Sequence, residues 1–422
     1  MGTVAVISEY NPFHNGHLYH LKKAREISKA DSLIVIMNGN FVQRGEPALL
    51  DKWNRTRMAL AGGADLVIEL PLVYGIRSAE YFARGAVGIL DKSNIVDSIV
   101  FGSELGKIEP LQEIARILID KKRELQEKIQ EELAGGKSFP LAREAALQSY
   151  LQANPDLASF SASELLEIIS EPNNILAIEY LKSLRELTSA ITPYTIKRIG
   201  SGYHDKKTEG KYASATAIRE LVYRGELDNI KTYLPEEPYH VLIKAIEKGQ
   251  APAELEHFSL LLIASIRKFN TKELEKFAEL DNGLERRVYR EAHRTTDFKN
   301  LVRKIKTKAY TWTRIQRNLL HIFFDIKEED FRLLDRYGPQ YIRVLGVRKE
   351  RTDLLSKLNK KAGLPVIINP AEFLREIDLE SQDPLLKSLS YDILASDIYS
   401  LLYKNPACRQ GNLDFTKALI KY

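Results

Sequence analysis

The sequence predicts an α/β chain: a parallel sheet with crossover helices near the N-terminus, a helical insertion, then a mainly helical C-terminal part. Three observations carry this. Short β-branched runs alternate with amphipathic stretches through residue 101. The alternation gives way to charged helical patterns from Glu104 to about Ser170. Beyond about Tyr239 helical periodicity dominates. Strand and helix repeated in turn imply parallel strands joined by right-handed crossovers, with ligands bound beyond the carboxyl ends of the strands.

The first expected strand is Thr3 to Ile7, the second Leu33 to Met37, the third Leu66 to Leu70 and the fourth Ile95 to Phe101. Between the first two, Leu18, Leu21, Ala24 and Ile27 recur at helical spacing. Lys52 to Ala61 and Tyr81 to Leu90 supply the next helices. In the insertion, Glu109 to Leu133 reads as one charged helix ended by Gly135-Gly136, followed by Ala142 to Gln152 and Ala162 to Ile169. Thr195 to Ile199 is a further strand, Gly200-Ser201-Gly202 a turn and Ala213 to Tyr223 a helix. Late in the chain Tyr341 to Val347 reads as a packed strand. The expected domains are residues 1–240, with the insertion at about 105–170, and residues 241–422.

Composition bounds the function. The 422 residues are 44% hydrophobic and 28% charged, enough to bury a core in more than one domain. A net charge of +5 says little by itself, so any argument for nucleic acid rests on local clustering. A single cysteine, Cys408, excludes an intrachain disulfide and a multi-cysteine zinc site. No apolar run reaches the ~18 residues a membrane span needs. A cytoplasmic protein with no membrane partner is expected, and no metal-ligand set is visible.

The chemistry begins directly after the first strand, in Glu9-Tyr10-Asn11-Pro12-Phe13-His14-Asn15-Gly16-His17. Gly16 lets backbone approach a ligand, and His17 is expected to open a helix whose first-turn N–H groups favour phosphate. Imidazoles at His14 and His17 can donate hydrogen bonds to an α-phosphate under attack, where charge builds on the oxygens. The bland alternative is two solvated loop histidines. A second motif, Ser214-Ala215-Thr216-Ala217-Ile218-Arg219, puts hydroxyls at a helix start and a guanidinium one turn on. This can be a second phosphate clamp, or a plain N-cap with a solvated arginine. Lys206, Lys207 and Lys211 precede it in a glycine-containing loop that could close over a triphosphate. Asn40, Gln43 and Arg44 follow strand two at the same edge. Arg44 can pair with acetate or phosphate, although a surface arginine is commoner. Asp51, Lys52 and Arg55 read as the solvated face of a helix.

Together the two motifs resemble the HIGH-type nucleotidyltransferase superfamily, which shares a Rossmann-like fold with class I aminoacyl-tRNA synthetases. Longer strings narrow the resemblance: Glu9 to His17, Gly39-Asn-Phe-Val-Gln-Arg-Gly-Glu-Pro47, Phe101-Gly-Ser-Glu104, Pro172-Asn-Asn-Ile-Leu176, Gly202-Tyr-His204 and Ser390-Tyr-Asp392. These are similar to the bacterial methionine tRNA cytidine acetate ligase family over nearly the whole chain.

The resemblance implies a Rossmann-like nucleotidyltransferase domain with a helical insertion, plus a mainly helical C-terminal domain. It implies ATP and Mg²⁺ as cofactors, and acetate and elongator methionine tRNA, not DNA, as partners. ATP and acetate would form acetyl-adenylate and pyrophosphate. The acetyl group would then pass to the exocyclic amine of the wobble cytidine, releasing AMP. The implied ATP site runs from Ile7 through Ser8, Glu9, Tyr10, Asn11, Pro12, Phe13, His14, Asn15, Gly16, His17, Leu18 and Tyr19 to His20. Gly102, Asn174 and Arg198 would join it, with Asn173 and Lys197 open as alternatives to the last two. Ser8 departs from the alanine expected there. Catalytic roles fall to His14, His17 and Arg219, and β- and γ-phosphate contacts to Ser214, Thr216 and Arg219.

Basic residues gather between Arg286 and Arg317. Arg286, Arg287, Arg290, Arg294, Lys304, Arg314 and Arg317 are the candidate tRNA contacts, with Lys299, Arg303, Lys306 and Lys308 among them. Only Glu291 and Asp297 oppose them, and Tyr310 and Trp312 interleave. Cations for phosphates and aromatics for unstacked bases suit a single-stranded loop. The alternative is an ordinary solvated helix face. Two other functions remain open at this stage: an adenylyltransferase for a small phosphorylated cofactor precursor, and a non-catalytic RNA-binding protein with a remnant nucleotide pocket.

Overall fold

A computed structural model describes residues 2–154, 157, 159–198, 210–280 and 283–422. The expected Gly200–Gly202 turn, the Gly202–His204 string, Lys206 and Lys207 lie outside these residues.

Five parallel strands form the frame: β1 (Thr3–Ser8), β2 (Ser32–Asn38), β5 (Leu66–Leu70), β6 (Ser98–Ser103) and β7 (Thr192–Lys197). A short antiparallel hairpin, β3 (Phe41–Val42) with β4 (Glu46–Pro47), follows β2. Across the sheet the order is β5-β2-β1-β6-β7. The chain winds outward one way from β1 and then the other, so a switch point opens between β1 and β6, where α/β sheets place their ligands. Every residue of β2 and β5 is buried, as expected of strands covered on both faces.

The first helix, α1 (Asn15–Ser28), connects β1 to β2, and α2 (Lys52–Ala61) precedes β5. The single charged helix expected from Glu109 to Leu133 is two, Glu109–Asp120 and Lys122–Ala134, parted where Lys121 leaves helical geometry at φ −115° and ψ 26°. Helical structure also runs past Ser170. Pro172 opens a helix to Glu186 as its first residue, where a missing N–H costs nothing, and this helix returns the chain to β7.

The chain after residue 240 does not keep to a separate core. Its strand β8 (Ile342–Val347) pairs antiparallel with β5 and extends the sheet, with β9 (Val366–Ile367) and β10 (Ile420–Lys421) beyond it. One hydrophobic cluster joins Ile68 of β5 to Val344, Phe324 and Tyr399. Polar locking goes with it. Asp51, Lys52 and Arg55 are not a solvated face; all three are fully buried. Lys52 Nζ sits 2.8 Å from both Glu69 and Asp414, and Arg343 reaches Asp414 at 3.2 Å. The charges survive burial because each meets an opposite charge. The apolar face expected of β8 could not announce its partner, since antiparallel pairing with β5 depends on the rest of the fold.

Candidate functional site

At the switch point a cavity of about 290 Å³ opens over the carboxyl ends of β1, β6 and β7. Ile7, Ser8 and Glu9 end β1, Phe101 and Gly102 sit on β6, and Ile196 and Arg198 mark β7. Tyr10, Asn11, His14, Gly16, His17, Tyr19 and His20 continue the floor from the loop into α1. Ser214, Ala215, Thr216 and Arg219, at the start of the Ala215–Tyr223 helix, close the opposite wall. The two expected motifs therefore face one another across one space.

The two histidines are built into the start of α1. His14, not His17, is the cap: Gly16 N–H donates to His14 Nδ1 at 3.1 Å, and His14 N–H donates to His17 Nδ1 at 3.2 Å. The rings stack with centroids 3.8 Å apart. A backbone N–H at each Nδ1 leaves that nitrogen its lone pair and puts the proton of the neutral ring on Nε2. Both rings thus present Nε2–H as a donor. Burial first, then the nearby Arg198 and Arg219 charges, push His14 down to about 3. Burial, with His14, His20 and Arg198, drives His17 well below its ordinary value. At neutral pH these are uncharged donors.

His20 differs. Its Nε2 lies 3.1 Å from the Val100 carbonyl, so the proton is used there and Nδ1 keeps a lone pair. Burial lowers it to about 4.

The first-turn N–H groups of α1 are not open to phosphate as expected. Asn15 N–H donates to the Tyr233 carbonyl, Gly16 N–H to the His14 ring and His17 N–H to the His14 carbonyl. The anion donors on this wall are the imidazoles themselves.

Among the described residues, positive charge on the wall comes from three arginines. Arg219 donates through Nη1 to the Asn11 carbonyl at 2.9 Å, and its Nη2 approaches Thr216 Oγ1 at 3.3 Å and Glu46 at 3.5 Å. Arg198 lies across Gly102, where an added Cβ would meet its Cγ at 3.1 Å. Lys197, its alternative, does not line the cavity. Arg44 does, from the β3–β4 hairpin, so it is a wall residue and not a surface arginine.

Several expected contacts sit elsewhere. Asn174 is buried behind the wall: its Oδ1 accepts from Glu104 N–H at 3.0 Å and its Nδ2 donates to the Ile168 carbonyl at 2.9 Å. It shapes the turn after β6 instead of facing the cavity. Asn15 spends its amide on the Lys211 and Thr232 carbonyls. Phe13 is fully buried beneath Tyr10 and His17, and Pro12 and Leu18 are absent from the wall.

Leu176, Ala177 and Tyr180, which form an apolar wall from the Pro172–Glu186 helix, and Tyr212 were not among the expected site residues. Leu176 and Tyr180 stand four residues apart after a helix-opening proline, a signal the Asn173-Asn174 string obscured.

The basic cluster lies mostly at the surface. Arg286, Arg290, Arg294 and Lys304 are exposed, and Arg287 and Arg314 half-buried. Arg287 donates to the Lys304 carbonyl, tying two basic helices together. Arg317 is the exception: it is 8% exposed, because the Trp312–Phe323 helix packs its backbone against Gly45 of the hairpin. It cannot serve as a surface phosphate contact. Among the described residues no helix is long and apolar enough to cross a membrane, and no three metal-ligating side chains gather.

A parallel sheet with this strand order, and a histidine pair at its switch point opposite a serine–arginine clamp, defines a nucleotidyltransferase architecture. The chain belongs to the HIGH nucleotidyl transferase family, whose model matches residues 1–414. More narrowly, it is 47% identical to the tRNA(Met) cytidine acetate ligase of Halothermothrix orenii and 42% identical to that of Thermoanaerobacter sp., each over the full length of both chains. Among solved structures it resembles TmcAL of Thermotoga maritima bound with alpha-thio ATP, with a TM-score of 0.92, 36% identity and full coverage of both chains.

Proposed function

We propose that this chain is an ATP-dependent ligase that acetylates the wobble cytidine of elongator methionine tRNA. The observation that carries the chemistry is the pair of neutral Nε2–H donors, His14 and His17, facing Ser214, Thr216 and Arg219 across one cavity. An acetate oxygen attacks the α-phosphorus of ATP, and the bond to pyrophosphate breaks. His14 and His17 hydrogen-bond the α-phosphate oxygens, where charge accumulates. Ser214, Thr216 and Arg219 hold the β- and γ-phosphates, and the adenylate stays bound for the second step. Gly102 and Arg198 flank the nucleotide.

Mg²⁺ fits this site as a phosphate-bound ion. Among its described residues the wall supplies a single carboxylate, and Mg²⁺ is characteristically held by substrate phosphates and water with few protein ligands. When bound it would neutralise departing pyrophosphate charge.

The exposed Arg286, Arg290, Arg294 and Lys304, with Arg287 and Arg314, are the proposed tRNA face. The names of the full-length relatives support the tRNA substrate and acetate. A small phosphorylated precursor gives no reason for so much exposed positive charge.

The direct test is to incubate the protein with a methionine tRNA transcript, ATP, Mg²⁺ and acetate, then digest the RNA and weigh its nucleosides. Acetylcytidine at the wobble position is expected. Unmodified cytidine under these conditions would refute the proposal.

A further inference from the structure

The second half of that reaction makes a demand the first does not. Acetate attacks as an anion and loses no proton. The exocyclic amine of cytidine attacks neutral: its nitrogen bonds to the acetyl carbon, the carbon–oxygen bond to AMP breaks, and AMP departs with the electron pair. One N–H proton must then leave the nitrogen, and a positioned base is worth roughly 10²–10⁴-fold in rate.

Most of the wall cannot take it. His14 and His17 present N–H, and each Nδ1 lone pair is engaged by a backbone N–H. His20 has a free Nδ1, yet burial makes it a weak base near 4. Arg44, Arg198 and Arg219 are cations. Among the described residues of the wall there is one carboxylate, Glu9.

Glu9 is also held in place. Its Oε1 accepts from Gln43 N–H at 2.7 Å, and its carbonyl accepts from Arg55 Nη1 at 2.7 Å. The carboxyl sits at the end of β1, at the switch point, partly open to the cavity. A negative group there opposes the binding of a triphosphate, so its presence asks for a purpose that ATP binding does not supply.

We infer that the Glu9 carboxylate is the general base that takes the proton from the attacking amine, a role that rests on the acetate-ligase reading. The groups facing it are Arg44 and Glu46 from the hairpin, Arg219 from the Ala215–Tyr223 helix, Tyr180 from the Pro172–Glu186 helix, and Arg55 from α2. Burial raises its proton affinity above the ordinary carboxylate range, against the lowering by Gln43, Arg44 and Arg219. That shift brings it closer to the working pH of a base.

The test separates the half-reactions in Glu9→Gln, which keeps shape and the bond from Gln43. The measurements are acetate-dependent pyrophosphate exchange, tRNA acetylation, and capture of the adenylate by hydroxylamine, a small, strong nucleophile whose proton solvent water can take. Acetylation is expected to fall about 100-fold, with exchange and hydroxamate formation reduced far less. The wild-type acetylation rate is expected to rise with pH as Glu9 loses its proton; that rise should vanish in Glu9→Gln, and Glu9→Asp should recover part of the loss. A parallel fall in exchange and acetylation, a higher Mg²⁺ requirement, or unchanged acetylation would each overturn the inference. A wild-type enzyme that makes no acetyl-adenylate would instead remove the ligase reading, and this inference with it.

Discussion

Replacing Arg55 with lysine should loosen the catalytic loop without touching a ligand. Arg55 is fully buried and has three backbone carbonyls to satisfy: Leu50 at 3.0 Å through Nε, Glu9 at 2.7 Å through Nη1, and Gly39 through Nη2. These lie before α2, after β1 and after β2, so one guanidinium pins three loops at the sheet edge. A lysine ammonium keeps the charge but is a point donor at the end of a flexible stem, and it can replace about one of the three bonds. Two buried carbonyls then lose their partners at roughly 1–3 kcal/mol each. Partial relaxation places the expected loss near ~3 kcal/mol, and at roughly 2 °C per kcal/mol for a large chain the midpoint should drop by about 6 °C. Released from Arg55, the Glu9 segment should also cost about tenfold in pyrophosphate exchange, or ~1.4 kcal/mol in the barrier. Calorimetry and the exchange assay read the two effects. Arg57→Lys, two residues on in the same helix and half-buried, is the control, expected within about 0.5 kcal/mol of wild type. A melting midpoint for Arg55→Lys equal to the control's would refute the anchoring argument.

Further outcomes follow from the same geometry. His17→Ala removes one transition-state donor and one capping bond, so exchange should fall about 10²–10³-fold while tRNA affinity in filter binding stays near normal. An active His17→Ala enzyme would contradict its role. Because His14 and His20 titrate near 3 and 4, kcat/KM for ATP should show no limb near 6.5; a fall as pH rises through 6.5 would mean the working form is imidazolium. The same depressed values mean that unfolding takes up protons below the ordinary imidazole range, so stability should decline as pH falls from 6.5 toward 4, read by the melting midpoint. At Gly62 an added Cβ would lie 2.2 Å from Cζ of Phe13, the ring packed under His17. Gly62→Ala should therefore cost about 1–3 kcal/mol in chemical denaturation, and equal stability would show that the ring can move aside. Charge reversal at Arg286, Arg290 and Arg294 should weaken tRNA binding and flatten its salt dependence, by about one unit of slope per lost phosphate contact.

How much of this was legible in the sequence depended on whether the signal was local. The strands from Thr3 to Phe101 and the helix Lys52–Ala61 followed from periodicity, because a doubly covered sheet demands apolar runs and its crossover helices demand a 3.6-residue stripe. The site's two motifs were visible for a similar reason: each is a short stretch at a strand–helix junction. What failed was burial of polar groups. Lys52 and Arg55 look like a solvated face until Asp414, from the far end of the chain, and three loop carbonyls are brought to them. Arg317 was expected at the surface but is buried by packing of the Trp312–Phe323 helix on the hairpin, while the hairpin itself turns Arg44, left open between a surface arginine and an acetate or phosphate contact, toward the cavity. Asn174 carried a recognisable string but spends both ends of its amide on backbone. The tautomers of His14 and His17 lay beyond any sequence reading, because they are set by the N–H groups of His14 and Gly16 in a specific cap.

Everything proposed for this chain turns on adenylate chemistry in the cavity between His14–His17 and Ser214–Arg219. It is tested most directly by exchange of labelled pyrophosphate into ATP with acetate, formate, propionate or no acid, with and without tRNA. Exchange that depends on acetate and disappears without acid is expected. No exchange with any acid, even with tRNA present, would contradict it.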